Sequence, residues 1–194
     1  MATVLGICGS AQKKGSTATL LQEVLNAIEV DSELIYLSDL NIKFCLGCRK
    51  CMKQQGRCVI EDDMAGLSDK LLAAKAIVVA SPNYYYTVSG LMKNMIDRSI
   101  SLNYRGIGED TGVAFHGWMP LVDKAGGIVI TQAAFGGDKA EETFKCFFEF
   151  SGLRWMGTVI ASVGSKHVKE YPEYLEEGRN LGSKIKKELD LKNT

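Results

Sequence analysis

Apolar residues along the 194-residue chain alternate between two rhythms. Five short runs are continuous and rich in β-branched or aliphatic residues: TVLGIC (3–8), ELIYL (33–37), AIVVA (76–80), GIVIT (127–131) and GTVIAS (157–162). Their length and unbroken hydrophobicity predict strands buried on both faces. Between them the apolar residues return every three or four positions. Leu20, Leu21, Val24, Leu25 and Ile28 make one stripe, and Met64, Leu67, Leu71 and Ala74 a second. Leu91, Met92, Met95, Ile96 and Ile100 make a third, and Ala140, Phe144, Phe147, Phe148 and Ser151 a fourth. The last opens with Pro172 and continues through Tyr174, Gly178, Leu181, Ile185 and Leu189. Each predicts an amphipathic helix. Asp62 or Asp63 is placed to cap the second, and proline suits the first turn of the last.

Five strand–helix alternations predict an α/β three-layer sandwich, a five-stranded parallel sheet with helices on both faces. With five units and no second nucleotide-binding half, the strand order 2-1-3-4-5 fits best. No internal repeat, low-complexity tract or linker divides the chain, so residues 1–194 read as a single domain. One segment departs from the pattern. Residues 102–125, LNYRGIGEDTGVAFHGWMPLVDKA, exceed an ordinary connection, and excursions of that length act as lids or meet a partner.

Composition narrows the function classes. Lys plus Arg number 23 and Asp plus Glu number 23, so no global charge draws the chain to nucleic acid or an anionic membrane. No stretch approaches the ~20 apolar residues of a membrane span. The opening MATVLGICGS runs into a glycine loop without the basic lead of a signal peptide. A cytoplasmic, reducing setting is expected. Six cysteines in that setting are too few for a disulfide scaffold and point to metal or redox chemistry.

Ligands of such sheets bind beyond the carboxyl ends of the strands, where three loops have unusual chemistry. GSAQKKGSTAT (9–19) lacks both the Walker A spacing and G-x-G-x-x-G, but offers glycines, hydroxyls and a helix amino terminus. That set suits one phosphate held by neutral donors and the helix dipole, or else a plain turn capped by Ser16 or Thr17. SPNYYYTVSG (81–90) presents three successive tyrosines, and TQAAFGG (131–137) pairs small residues with open backbone, as a planar ring close to main chain requires. Together the three describe a flavin mononucleotide pocket.

In these loops, and in DDMAGLSDKLLAAKAIVVASPNYYYTVSGLMKNMIDRS (62–99), the chain resembles the NAD(P)H-dependent FMN reductases of the flavodoxin-like superfamily. Ser-Pro-x-Tyr with Ser89-Gly90, Lys93 and Asp97-Arg98 after it is the more distinctive part. With its four clustered cysteines it is most similar to the archaeal and anaerobic iron–sulfur flavoproteins, over roughly residues 3 to 165. The resemblance implies one flavodoxin-like FMN-binding domain with a Cys-rich loop at 44–60 and the excursion at 102–125. It implies that Ser10, Gln12, Ser16 and Thr17 cradle the FMN phosphate. Pro82, Asn83, Tyr84 and Tyr85 then border the isoalloxazine, with Thr131 to Gly137, Gly136 among them, on its pyrimidine side. Two positions differ from the family pattern. Ala11-Gln12 stands where Pro-Arg is common, which leaves a cationic phosphate contact either missing or moved to Lys13, and Tyr86 replaces a small residue and narrows access to the ring.

CLGCRKCMKQQGRC (45–58) begins shortly after the second strand, at the edge shared by the flavin loops. Its C-x2-C-x2-C-x6-C spacing differs from the two separated knuckles usual for zinc and resembles the opening of a bacterial ferredoxin run. Cys45, Cys48 and Cys51 suit three corners of a 4Fe–4S cubane, and Cys58 reaches back as the fourth, with Gly56 easing the turn. Arg49, Lys50, Lys53 and Arg57 would offset the cluster's negative charge. Zinc, an oxidative disulfide and idle thiols remain as alternatives. Cys8 and Cys146 read as buried small hydrophobes. His116 and His167 have no carboxylate at a readable spacing, Phe115 and Trp118 suit a cover or an interface, and Asp97-Arg98 suits an interface ion pair.

The expected function is thus an FMN-dependent oxidoreductase with a 4Fe–4S cluster, passing electrons between a one-electron donor and a small oxidant. Ferredoxin or NAD(P)H would be the donor, a small molecule the acceptor, and a homodimer or homotetramer the assembly. The alternatives are an NAD(P)H-dependent FMN or quinone reductase without a cluster, and a non-enzymatic electron carrier.

Overall fold

The computed structural model describes residues 3–105 and 119–192. Its middle layer is a sheet of β1 (Val4–Cys8), β2 (Ser32–Tyr36), β3 (Ala76–Tyr84), β4 (Thr87–Val88), β5 (Ala125–Gln132) and β6 (Arg154–Ser162). Five strands run parallel in the order β2-β1-β3-β5-β6, which is 2-1-3-4-5 when the parallel strands alone are counted. The difference from the expected five strands is β4. It pairs antiparallel with the extended end of β3, Asn83 opposite Val88 and Tyr84 opposite Thr87.

Helices α1 (Ser16–Ile28) and α6 (Pro172–Leu191) cover one face. The other face carries α3 (Met64–Ala73), α4 (Gly90–Ser99) and α5 (Gly137–Ser151); the short α2 (Lys50–Lys53) lies within the cysteine loop. Strand periodicity divides the core between the two faces. Val4 and Cys8 of β1 pack toward α1 and α6, and Leu5 and Ile7 toward α3, α4 and α5; Ala76, Val78 and Ala80 alternate likewise with Ile77 and Val79. Gly126 lets α5 close on the sheet, because a Cβ there would stand 2.4 Å from the Phe148 ring. Phe144 and Phe148 are buried beneath it, each contributing about 1.5–3 kcal/mol by burial. Cys8 is buried as expected, whereas Cys146 is exposed on α5 and lines a surface groove together with Cys45. No helix among the described residues is long and apolar enough to cross a membrane.

Candidate functional site

The turn between β1 and α1 opens toward the carboxyl edge of the sheet. Ser10, buried, accepts a hydrogen bond from the Gln12 N–H (3.2 Å), and the Gly15 N–H donates to the Gln12 carbonyl (3.0 Å), so the loop curls over its own backbone. Helix α1 begins with no side-chain cap and no acidic residue in its first turn. Its leading amides and positive dipole end therefore suit an anion. The Thr17 hydroxyl lies 2.6 Å from that of Thr131 at the end of β5, and the Ser16 hydroxyl accepts from the Val168 N–H (3.0 Å). Lys13 pairs instead with Asp39 at 2.7 Å and lies over the Tyr36 ring, so its charge is already matched. His167 reaches the Lys14 carbonyl (3.1 Å) and braces the loop from behind.

Beyond Pro82 the three tyrosines do not form an open loop. Tyr85 and Tyr86 are the two central residues of the β3–β4 hairpin, both at positive φ (50° and 63°). Two-residue hairpins favour that twist, normally with Asn-Gly; for tyrosine it costs about 1–2 kcal/mol per residue. Such outliers persist where the surroundings enforce them and cluster at functional sites. Tyr86 packs on Phe135, with ring centroids 5.8 Å apart, under the Lys139 amine. A Cβ at Gly136, itself at φ +89°, would stand 2.2 Å from the Tyr86 ring. Tyr85 is 99% exposed.

Gln132 ties the third loop to the hairpin. Its Oε1 accepts from the Gly137 N–H (2.7 Å) and Asn83 Nδ2 (3.4 Å), while its Nε2 donates to Ser162, whose hydroxyl donates to the Ala134 carbonyl. Asn83 Nδ2 also donates to the Phe135 carbonyl at 3.1 Å, which fixes the amide's orientation. Asn83 Oδ1 is then left buried without a donor among the described residues. A buried acceptor without a partner calls for one, and a flavin ring, with an N–H on its pyrimidine edge, supplies a donor of the right kind. The uncapped start of α1, the orphan acceptor and the small-residue loop all fit FMN.

Helix α4 leads from this region to the cysteines. At its start the Ser89 hydroxyl donates to the Gly9 carbonyl (2.6 Å) and accepts from the Met92 N–H, and the Ser89 N–H donates to Ser81 (2.8 Å). The cysteine loop leaves the carboxyl end of β2 as expected, then follows α4 toward its far end. Asn94 donates to the Ile42 carbonyl and Arg98 to the Lys43 carbonyl. The cysteine loop thus lies along α4, whose far end stands about 15 Å from the Ser89 end, for ten residues at 1.5 Å each.

Cys45, Cys48, Cys51 and Cys58 line one cavity of about 360 Å³, walled by apolar side chains such as Leu46, Ile100 and Tyr104 and by Arg49 and Arg98. The loop takes this shape through left-handed conformations at Gly47, Arg49, Gln55 and Gly56. Burial, and then the neighbouring Cys58 and Cys45 thiols, push the Cys51 thiol up. Among the described residues no three His, Cys, Asp or Glu side chains converge so as to hold one metal ion. A cubane makes a different demand, with each thiolate on a separate iron, and four thiols lining one cavity are the donor set it takes.

Arg98 was not expected here. It pairs with Asp62 rather than Asp97, which takes Lys93, so the interface role read from Asp97-Arg98 is replaced by a buried pair inside the chain. Its signal, an arginine on the apolar side of a predicted helix, was legible; its partner was not. Gln132 lay within the 131–137 loop that the sequence singled out, but nothing there marked it as the residue that ties this loop to the hairpin. Phe115, His116 and Trp118 lie outside the described residues.

Residues 2–167 match the NADPH-dependent FMN reductase family. An iron–sulfur flavoprotein of Methanocaldococcus jannaschii is 32% identical, covering 97% of both chains. Another, of Archaeoglobus fulgidus, is 30% identical over 97% of this chain and 80% of its own. Among solved structures, an apo NADH:FMN oxidoreductase superposes with a TM-score of 0.66 (17% identity; 96% of this chain, 89% of that one). An FMN-dependent NADH-azoreductase from Bacillus anthracis, in complex with FMN, gives 0.69 (12% identity; 94% and 99%). These two likenesses speak for the flavodoxin-like fold alone. With that fold, an FMN-shaped set of loops and a match over most of its length, the chain belongs to the NADPH-dependent FMN reductase family and is an FMN-binding, flavin-dependent oxidoreductase.

Proposed function

We propose that the chain is an FMN-dependent electron-transfer oxidoreductase that also carries a 4Fe–4S cluster on Cys45, Cys48, Cys51 and Cys58. The shared cavity carries the reading, because four thiols from one short loop line it together. A zinc ion would instead need its ligands gathered at roughly 2.3 Å about a single point. The iron–sulfur flavoprotein relatives support the same reading.

When bound, FMN stores two electrons and the cluster exchanges one at a time. The chain's own groups bind and orient. Ser10, Gln12, Ser16 and Thr17, with the first amides of α1, hold the phosphate. Pro82, Asn83, Tyr84, Tyr85, Thr131 and Gly136 border the ring. Tyr86, packed on Gly136, narrows the approach for an oxidant. Arg49 and Arg98 offset the charge of the thiolates, and α4 fixes the spacing between the two sites. A ferredoxin or NAD(P)H serves as donor and a small molecule such as a quinone as acceptor, within a cytoplasmic homodimer or homotetramer. Phe44 and Leu46, exposed beside the cysteines, suit such an interface.

Purification without oxygen followed by iron, sulfide and flavin assays tests the reading. Iron and sulfide in equal amounts beside FMN are expected; a yellow protein that takes up no iron on reconstitution overturns the cluster. A second reading, an NAD(P)H-dependent FMN or quinone reductase with free thiols, is favoured by the description of the matched family. Rapid mixing separates the two. Prompt bleaching of the flavin by NADPH supports the second reading, and slow bleaching by NADPH with fast reduction by ferredoxin supports the first.

A further inference from the structure

Arg98 sits at the end of α4 with 2% of its surface exposed, and its side chain accounts for nearly all of its donors. A guanidinium carries five N–H groups. Nη1 donates to the Lys43 carbonyl and to Asp62 Oδ2, both at 2.6 Å. Nη2 donates to Asp62 Oδ1 at 3.0 Å and to the Cys58 sulfur at 3.6 Å. The fifth, on Nε, is buried and has no partner among the described residues.

The opposite end of the pair is saturated. Asp62 also accepts from the Lys43 N–H (2.9 Å) and the Met64 N–H (3.1 Å), so four donors share its negative charge. The positive end is less completely answered, and it lies against Cys58 in the wall of the cysteine cavity. Both side chains are removed from water, at 1% and 0% exposure, so solvent screens this charge little. Of the cations near the thiols, Arg49 is surface-exposed and Arg98 is not.

We infer that Arg98 is a positioning residue for the cluster: it fixes Cys58 through its Nη2–H and, by donating to that sulfur, raises the cluster's reduction potential. Reduction adds one electron to a centre already carrying four thiolates, and a buried donor on one of the sulfurs stabilises the reduced form more than the oxidised form. The inference rests on the proposed cluster and goes beyond it, since ligand identity says nothing about what sets the potential.

The test is an anaerobic redox titration of the reconstituted holoprotein, read by cluster absorbance and electron paramagnetic resonance, for wild type, R98K, R98Q and the double variant R98M/D62N. Iron and sulfide are assayed in each protein, so that potentials are compared only between fully loaded samples; a fall in iron in R98Q that R98K reverses also supports the positioning of Cys58. Loss of a hydrogen bond to a charged group should lower the equilibrium constant for reduction about tenfold or more in R98Q, a fall of about 59 mV for a one-electron couple. R98K should recover part of it, and the flavin potential should stay where it is. Arg98 loses the role if R98Q and the double variant hold full iron and titrate at the wild-type potential. A wild-type protein that binds no iron removes the cluster and this inference together, a result distinguishable by the iron assay alone. Should R98Q fail to fold, because Asp62 is left buried and unpaired, the double variant and R98K carry the same measurement.

Discussion

The hydroxyls of Thr17 and Thr131 lie 2.6 Å apart, joining the first turn of α1 to the end of β5 across 114 residues of sequence. Both residues are buried. Two hydroxyls in one hydrogen bond use one of their two protons, which leaves an O–H to donate where the β1–α1 loop meets the loop after β5. Thr17→Val removes that arrangement without changing shape. It should destabilise the apoprotein by about 1–3 kcal/mol, because the Thr131 hydroxyl is left buried and alone. It should also weaken FMN binding by roughly tenfold through loss of a donor to a charged group. Adding Thr131→Val should restore part of the stability and none of the affinity. Thermal unfolding of the apoprotein and flavin-fluorescence titration read the two effects separately; recovery of affinity in the double variant would contradict the assignment.

Tyr85 combines full exposure with a left-handed backbone, so nothing in its side-chain packing offsets its strain. Asparagine tolerates that conformation better than other residues with a Cβ. Tyr85→Asn should leave the protein as stable or stabilise it by about 0.5–1 kcal/mol, while flavin affinity or turnover with a quinone falls as the aromatic surface is lost. A stabilised variant with undiminished flavin binding and turnover would assign the tyrosine to neither task.

Gly56 closes the return from Cys51 to Cys58. Its φ is +80°, and a Cβ there would stand 2.5 Å from Arg105 Cγ and 2.7 Å from the Ser101 carbonyl. The carbonyl belongs to the turn that follows α4 and cannot swing aside as a side chain tip would. Gly56→Ala should therefore displace the 55–58 segment, costing about 1–3 kcal/mol, and should lower iron uptake while FMN content stays at the wild-type level. Equal loss of both cofactors would mean a general collapse instead of a local shift of Cys58.

The parallel sheet was legible because strands buried on both faces read as unbroken apolar runs, and the helices because Leu21, Leu25 and their counterparts repeat at helical spacing. The tyrosine hairpin was hidden. Hairpin turns are recognised by Asn-Gly or Asp-Gly, and Tyr85-Tyr86 violates the propensity that makes such turns visible, as functional segments do. The four cysteines announced themselves by spacing, yet their course along α4 depends on Arg98 and Asp62, 36 residues apart. The pairing leaves no periodic trace: Arg98 falls on the apolar side of its helix, but nothing in the spacing says that Asp62, which resembles a helix cap, answers it. Cys146 was misplaced for a related reason: on a helix with Phe144, Phe147 and Phe148 in the core, position 146 points to the other side.

The Asp62–Arg98 pair also sets an acid limit on stability. Burial pushes the Asp62 carboxyl up, but the Arg98 guanidinium and the Lys43 and Met64 amides outweigh it and hold the group below the ordinary carboxylate range. The unfolded chain therefore takes up the proton first as pH falls. The stabilisation is complete above the unfolded value of about 3.9 and is lost as pH drops through the lower folded value. Asp62→Asn leaves Arg98 buried without its counter-charge, a change that costs about 3–5 kcal/mol for pairs of this kind. Urea unfolding of wild type and D62N from pH 6 down to pH 3 should show the largest difference at pH 6. The curves should approach one another only below about pH 4. Parallel curves through that range would show that Asp62 ionises alike in the folded and unfolded chains, contrary to the enclosure seen here.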